Sequence, residues 1–389
     1  MVRKVALFGI SLLGALVALD VYLQVAEIQT PMETRIDPVI GPTYIPDRPI
    51  VRFNEGFYIG GSNEYGYLGE LSHPEREGDE KRILLIGDSF VLGHTVFDRH
   101  HFGRIIERDL GLATGEEVKA LNFGKADFNL WNMYQYYCDF AAHFEHDLAL
   151  FFFQQGDLAP TRQLAGELYP TCVLEGDSIR IDRSFVESEA YRQYRLLQPL
   201  LSRSAVLRLA FNTHKMILRG ELEQVVLGEL ARFRHPPAQP YTPPVPKRLP
   251  DLSRKILEIL ARDPRNVFVL QKDLDPGLRS ELEELDLPLI DLGARLAEAQ
   301  EEGFDPYYWP VTGARGHWNN AAHVLIGEFL ARELFARGHV WPAAAGPDAG
   351  DDAGSGPSAA LASQPAPAGG RKPGTDAAPS TVEPGAARR

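Results

Sequence analysis

The chain has 389 residues, 44% hydrophobic and 24% charged, a globular composition that excludes wholesale disorder, collagen and coiled coil. A formal net charge of -13 leaves no basic footprint for neutralising phosphates, so nucleic acid is not expected as a partner. The two cysteines, Cys138 and Cys172, are too few for a Cys-only zinc site or a disulfide framework; a single bridge between them stays open.

At the amino terminus Arg3 and Lys4 precede an apolar run, Val5 to Leu19. As a helix that run spans about 22 Å, and extension to Ala26 gives about 33 Å, enough for a hydrocarbon core of roughly 30 Å. Asp20 then sits in the outer part of the span, where a charge costs less than at the centre. No small-x-small cleavage site follows the run, so residues 1–28 read as an uncleaved signal anchor rather than a cleaved signal peptide. The two cations stay inside and the rest of the chain is exported.

Residues 29–80 are rich in Pro, Gly, Tyr and Asn and read as an ordered, turn-rich lead-in, because the aromatics require burial. From Arg82 the pattern alternates. Strands are expected at Ile83–Ile86, Val118–Phe123 and Leu148–Phe153, with helices at Phe102–Leu110 and Leu130–Phe144. Strands apolar throughout imply a sheet covered on both faces. The rhythm breaks over an insertion of about residues 158–250. It contains a hairpin from Thr171 to Asp182, a helical stretch from Glu187 to about Arg234 and a Pro-rich run, His235 to Pro250. It resumes with helix Leu252–Ala261, strand Val267–Leu270, helix Leu278–Leu285, strand Leu287–Leu292 and helix Asn320–Ala336. Residues 342–389 are Ala/Pro/Gly/Ser-rich and read as a disordered tail. Residues 81–341 therefore form an α/β domain with a parallel, doubly wound sheet.

Ligands on such sheets bind beyond the carboxyl ends of the strands. Those ends carry Gly87-Asp88-Ser89-Phe90, Asn122-Phe123-Gly124 and Gln154-Gln155-Gly156-Asp157, and Gly316-His317-Trp318-Asn319 stands before the last helix. A serine at a strand-to-helix turn presents its hydroxyl at the sheet edge, and its N–H can stabilise an oxyanion. A histidine from a distant loop can act as its base. Val91 stands where the Gly-x-Ser-x-Gly elbow requires its second glycine, so this is not that motif.

These blocks resemble the SGNH, or GDSL, hydrolases over roughly residues 82–336, outside the insertion. The resemblance implies a flavodoxin-like three-layer α/β/α sandwich. It makes Ser89 the nucleophile, His317 the base and the Gly124 N–H an oxyanion donor; Gln155, one residue ahead of the family's position, offers a further side-chain donor from a shifted place or is a plain loop residue, like Gln154. Asp88 joins them as a catalytic candidate, and Asn122, Trp318 and Arg315 are candidate substrate contacts. The lead-in stretch Asn63-Glu64-Tyr65-Gly66-Tyr67 resembles the segment preceding this domain in membrane-anchored bacterial members linked to exported polysaccharides. Two departures stand out. The family's Asn-Asp is replaced by Gly156-Asp157, and the positions two and three residues before the histidine hold Arg315 and Ala314 instead of Asp. Asp305 and Asp291 are the nearest alternative acids. Loss of one oxyanion donor costs about 10²–10³ in turnover. Loss of the orienting carboxylate costs up to about 10⁴.

The expected function is ester hydrolysis or O-acyl transfer on an exported, acylated carbohydrate. The expected place is the bacterial inner membrane, crossed once, with the domain in the periplasm or outside the cell. Polysaccharide-assembly proteins are candidate partners, and neither cofactor nor metal is expected. One alternative is a catalytically degenerate domain that binds or scaffolds polysaccharide, and another is a lipid esterase or thioesterase. Plainer roles also exist for single residues. Gly87-Asp88-Ser89 suits a helix N-cap, and His317 suits a packed core. His143 and His146, at i, i+3, suit surface or packing. His94, His100 and His101 suit pocket lining, and the cations from Arg192 to Arg219 suit a solvated helix face or anionic lipid and glycan contact.

Overall fold

The computed structural model describes residues 2–26, 32–53, 55–159, 168–218 and 245–341. Helix α1, Val2–Val25, is long and apolar enough to cross a membrane, and its apolar window is not buried by the rest of the protein; a signal sequence has the same character. The lead-in forms two hairpins, β1 (Thr34–Asp37) with β2 (Gly41–Tyr44) and β3 (Pro49–Arg52) with β4 (Tyr58–Gly61).

Five parallel strands follow: β5 (Lys81–Ile86), β6 (Val118–Asn122), β7 (Leu148–Phe153), β10 (Asn266–Leu270) and β11 (Leu289–Asp291), ordered β11-β10-β7-β5-β6. Numbered by first appearance this is the 2-1-3-4-5 order of flavodoxin-like sheets, with its switch point at the first strand. Alternate residues of each strand feed two separate cores. Leu84, Ile86, Phe151, Phe153 and Phe268 pack under helices α4 (Leu130–Asp139), α7 (Asp251–Leu260) and α8 (Pro276–Glu283). Ile83, Leu85, Leu150, Phe152 and Val269 pack under α3 (Phe102–Thr114), α9 (Leu292–Glu301) and α10 (Asn320–Ala336). All five of those residues are fully buried, which is why the strands read as continuous apolar runs. The expected three-layer sandwich is thus the observed one.

Several expected boundaries move. The second helix of the domain ends at Asp139, not Phe144: Phe140 leaves helical geometry and its ring packs on Tyr136 and Phe144 at 5.1 and 5.4 Å. The strand expected over Leu287–Leu292 is confined to β11, because Leu292 already begins α9. Helix α9 was not among the expected elements; Asp291 caps it by accepting from the Ala294 N–H, and Leu292, Leu296 and Ala299 are its buried stripe.

The insertion carries the expected hairpin, β8 (Thr171–Glu175) with β9 (Ser178–Asp182). The long helix expected from Glu187 is instead α5 (Glu189–Arg203) and α6 (Ala205–Leu218), broken at Ser204. Asp20 of α1 accepts from Ser204 Oγ at 2.7 Å and the Val206 N–H at 2.9 Å, so its carboxylate satisfies the start of α6. Arg208 is buried and donates to the Leu201 carbonyl, unlike the solvated cation expected there. The Pro-rich run and the tail lie, apart from residues 245–250, outside the described residues, as does the helical stretch beyond Leu218. Cys138 and Cys172 are both free thiols.

Candidate active site

The switch point of the sheet delivers Ser89. β5 ends at Ile86, and Gly87 turns the chain where a Cβ would strike Val91 and Phe152. Asp88 caps the short helix α2 (Ser89–Leu92), its carboxylate accepting from the Phe90 N–H at 2.9 Å. The side-chain amides of Gln154 and Gln271 also donate to Asp88, each at 3.2 Å. Asp88 is therefore a buried anchor below Ser89. Burial raises its carboxyl above the ordinary range, opposed by the Gln271 and Phe90 hydrogen bonds.

Across the site, His317 Nε2 lies 2.9 Å from Ser89 Oγ. On the far side of the ring Nδ1 lies 3.0 and 3.1 Å from the two oxygens of Glu55. An Nδ1–H donated to a carboxylate leaves Nε2 with a free lone pair, the tautomer that accepts the serine proton. The serine, imidazole and carboxylate are in triad order. Neither acid expected from the sequence serves. Asp305 pairs with Arg315, and Asp291 pairs with Arg279 and caps α9.

Glu55 comes from the connection between β3 and β4, which no motif marks. It is held by more than the imidazole. The His317 N–H donates to Glu55 Oε2 at 2.5 Å, and Thr312 Oγ1 donates to the Glu55 carbonyl at 2.5 Å. Gly316 has no Cβ because one would overlap the Glu55 carboxylate, and one at Gly56 would overlap Trp309. Trp309, in the small hairpin β12 (Tyr308–Trp309) and β13 (Ala314–Arg315), donates its indole N–H to the His317 carbonyl at 3.0 Å. The lead-in that carries Glu55 is itself docked on the sheet. Leu68 bridges to Asn122, and Tyr67 is buried against Phe123 at 4.9 Å.

The other expected residues fall out as follows. The Gly124 N–H donates to Asn122 Oδ1 at 3.0 Å, and a Cβ at Gly124 would strike the backbone of Leu92. Asn122 is buried and also donates to the Leu92 carbonyl at 3.1 Å, so it braces α2 rather than facing substrate. The Gln155 amide donates to the Pro246 carbonyl and accepts from the Asp275 N–H, both at 2.9 Å, tying two loops together instead of supplying an oxyanion donor. Trp318 is a core residue, 1% exposed and 5.0 Å from the Phe90 ring, not a substrate contact. Arg315 is largely exposed and salt-bridged to Asp305 on the rim of a groove.

Of the histidines, His94 lies nearest the site, its ring 5.8 Å from that of His317. Burial and the neighbouring His317 push it down to about 4. His101 is buried and bonded to the Val91 carbonyl at 2.8 Å, holding α2 from behind. His143 and His146 each contact a nearby carbonyl, and no three or more His, Cys, Asp or Glu among the described residues are placed to hold a metal.

Neither a family model nor a curated protein matches the chain. Among solved structures it is similar to the lipase/acylhydrolase from Enterococcus faecalis, at 12% identity over 66% of this chain and 96% of that one, with a TM-score of 0.32. It is also similar to a putative lipolytic protein of the G-D-S-L family from Desulfitobacterium hafniense DCB-2, at 10% identity over 65% and 98% of the two chains and a TM-score of 0.30. A third is a member of the lipolytic protein G-D-S-L family from Veillonella parvula DSM 2008, at 13% identity, 66% and 99% coverage and a TM-score of 0.30.

Proposed function

We propose that this chain is a serine ester hydrolase or O-acyltransferase acting on an acylated carbohydrate outside the cytoplasm. The observation that carries the reading is the continuous relay from Ser89 Oγ through both nitrogens of His317 to Glu55. Ser89 attacks the acyl carbonyl while His317 Nε2 takes its proton. Glu55 keeps the imidazole in the receptive tautomer and stabilises the cation that forms. The Ser89 N–H at the start of α2 is the first oxyanion donor. The Gly124 N–H, which donates to Asn122 Oδ1 in this structure, is the second, its hydrogen shared with the oxyanion. His317 then protonates the leaving alcohol, and water or a sugar hydroxyl takes the acyl group from Ser89.

Helix α1 supports a single-pass anchor at the inner membrane with the domain in the periplasm. The neighbouring groove offers Lys272, Gln300 and Arg315 as polar contacts for a carbohydrate, beside the apolar Leu296, Ala297 and Tyr307. The Glu55 contact favours catalysis over a degenerate binding domain, for which His317 Nδ1 should lack an acid. The test is intact-mass analysis of the full chain in detergent after a fluorophosphonate probe. One probe adduct, absent from Ser89→Ala and strongly slowed in His317→Ala, is expected. A folded wild type that takes up no probe overturns the reading.

A further inference from the structure

Lys272 follows β10 and its neighbour Gln271. Its Nζ stands 4.7 Å from the centre of the Phe90 ring and 5.7 Å from that of Tyr307. Among the described residues the half-buried ammonium has no hydrogen bond and no ion pair; the two rings flank it, and the Asp88 and Asp157 carboxyls act on it only through space, favouring its charge against the cost of burial. An aromatic face attracts a cation without neutralising it, and a half-desolvated charge gains from a counter-ion.

The carboxylates that could serve are committed elsewhere. Asp88 accepts from Phe90, Gln154 and Gln271. Asp157 accepts from the Gln154 N–H, and burial together with Asp88 pushes its carboxyl well above the ordinary range, toward the neutral form. Asp273 pairs with Arg279. Lys272 lines a groove of about 500 Å³ together with the Arg279-paired Asp273, Gln300, Tyr307, Arg315 and Gly316. The groove adjoins the relay. Gly316 precedes His317, and the Phe90 ring is 5.0 Å from the His317 ring. Lys272 Nζ and the His317 ring thus share the Phe90 ring as neighbour, at 4.7 and 5.0 Å from its centre, which puts the ammonium within reach of the remainder of an ester held at Ser89.

We propose that this groove is an anion subsite, in which Lys272 receives a negatively charged group carried by the ester substrate. The inference rests on the hydrolase reading for the position of the ester and names the class of ester: an anionic one. The charge can belong to the acyl half or the alcohol half, and two probe pairs separate these. A 4-nitrophenyl hemisuccinate against 4-nitrophenyl acetate tests the acyl half. An O-acetylated hexuronate against an O-acetylated neutral hexose tests the alcohol half.

The experiment measures calorimetric binding of each probe to full-length Ser89→Ala in detergent. At least one anionic probe is expected to bind about tenfold or more tightly than its neutral counterpart. The preference should collapse in Ser89→Ala/Lys272→Met, persist in Ser89→Ala/Lys272→Arg and shrink steeply in about 0.5 M salt. Salt needs no further variant, so the test stands if Lys272→Met does not fold. Equal binding within both pairs, or a preference that survives Lys272→Met or salt, overturns the subsite. Wild-type turnover of the same esters is read separately. Turnover without anion preference removes the subsite alone, and anion preference without turnover removes the hydrolase reading alone.

Discussion

Glu55 and His317 are 262 positions apart in the chain, yet the carboxylate of the first receives both the ring Nδ1–H and the backbone N–H of the second. The acid is thus contributed by the lead-in and not by the loop that carries the histidine. If Glu55 orients the imidazole, Glu55→Gln should lower kcat by about 10²–10⁴ while KM stays near the wild-type value. Steady-state kinetics on a small acyl ester checks this. Undiminished turnover in a folded Glu55→Gln would assign the orienting role elsewhere.

Gly316→Ala is a second route to the same defect. A methyl at that position overlaps the Glu55 carboxylate, so the acid must leave Nδ1. The loss in kcat should approach that of Glu55→Ala. The double variant should be no slower than the slower single one, because both remove one interaction. Additive losses would show that Gly316 acts through something other than Glu55.

The parallel sheet and the strand-to-helix turn that carries Ser89 were legible because they rest on local signals. Leu148–Phe153 is six apolar residues bounded by polar turns, and Ser89 sits in a compact motif at a strand end. Glu55 was not legible. It stands in a short connection between two four-residue strands, and only the tertiary docking of Tyr67 and Leu68 brings that connection over the sheet edge. Gln155 shows the converse. Its amide offered an oxyanion donor only from a shifted position, and the structure commits that amide to Pro246 and Asp275. At the break, Ser204 and Val206 donate to Asp20, a contact with the insertion that no periodicity reveals.

Lys125 predicts a pH dependence of stability. It is buried beside the lead-in, donating to Thr43 Oγ1 and the Gly66 carbonyl at 3.3 and 3.2 Å, with no carboxylate partner among the described residues. Burial lowers it from an ordinary 10.5 to about 7. Between those values the unfolded chain binds a proton that the folded chain does not, so this group makes stability rise with pH above about 7. Urea midpoints of wild type should increase from about pH 7 to about pH 9, and Lys125→Met should flatten that increase. Equal slopes in the two proteins would mean that Lys125 keeps its proton in the fold.

Asp88 and Gln155 should separate anchoring from loop bracing. Asp88→Ala leaves the half-buried Phe90 N–H and the amides of Gln154 and Gln271 without their acceptor, directly beneath Ser89. It should cost about 1–3 kcal/mol of stability and also lower kcat, because α2 loses the cap that sets the serine. Gln155→Ala breaks two hydrogen bonds between loops without touching the relay, so kcat should change by no more than about threefold. Thermal midpoints with esterase kinetics on both variants decide the assignment. A large kcat loss confined to Gln155→Ala would return that side chain to the oxyanion site and require its loop to rearrange when substrate binds.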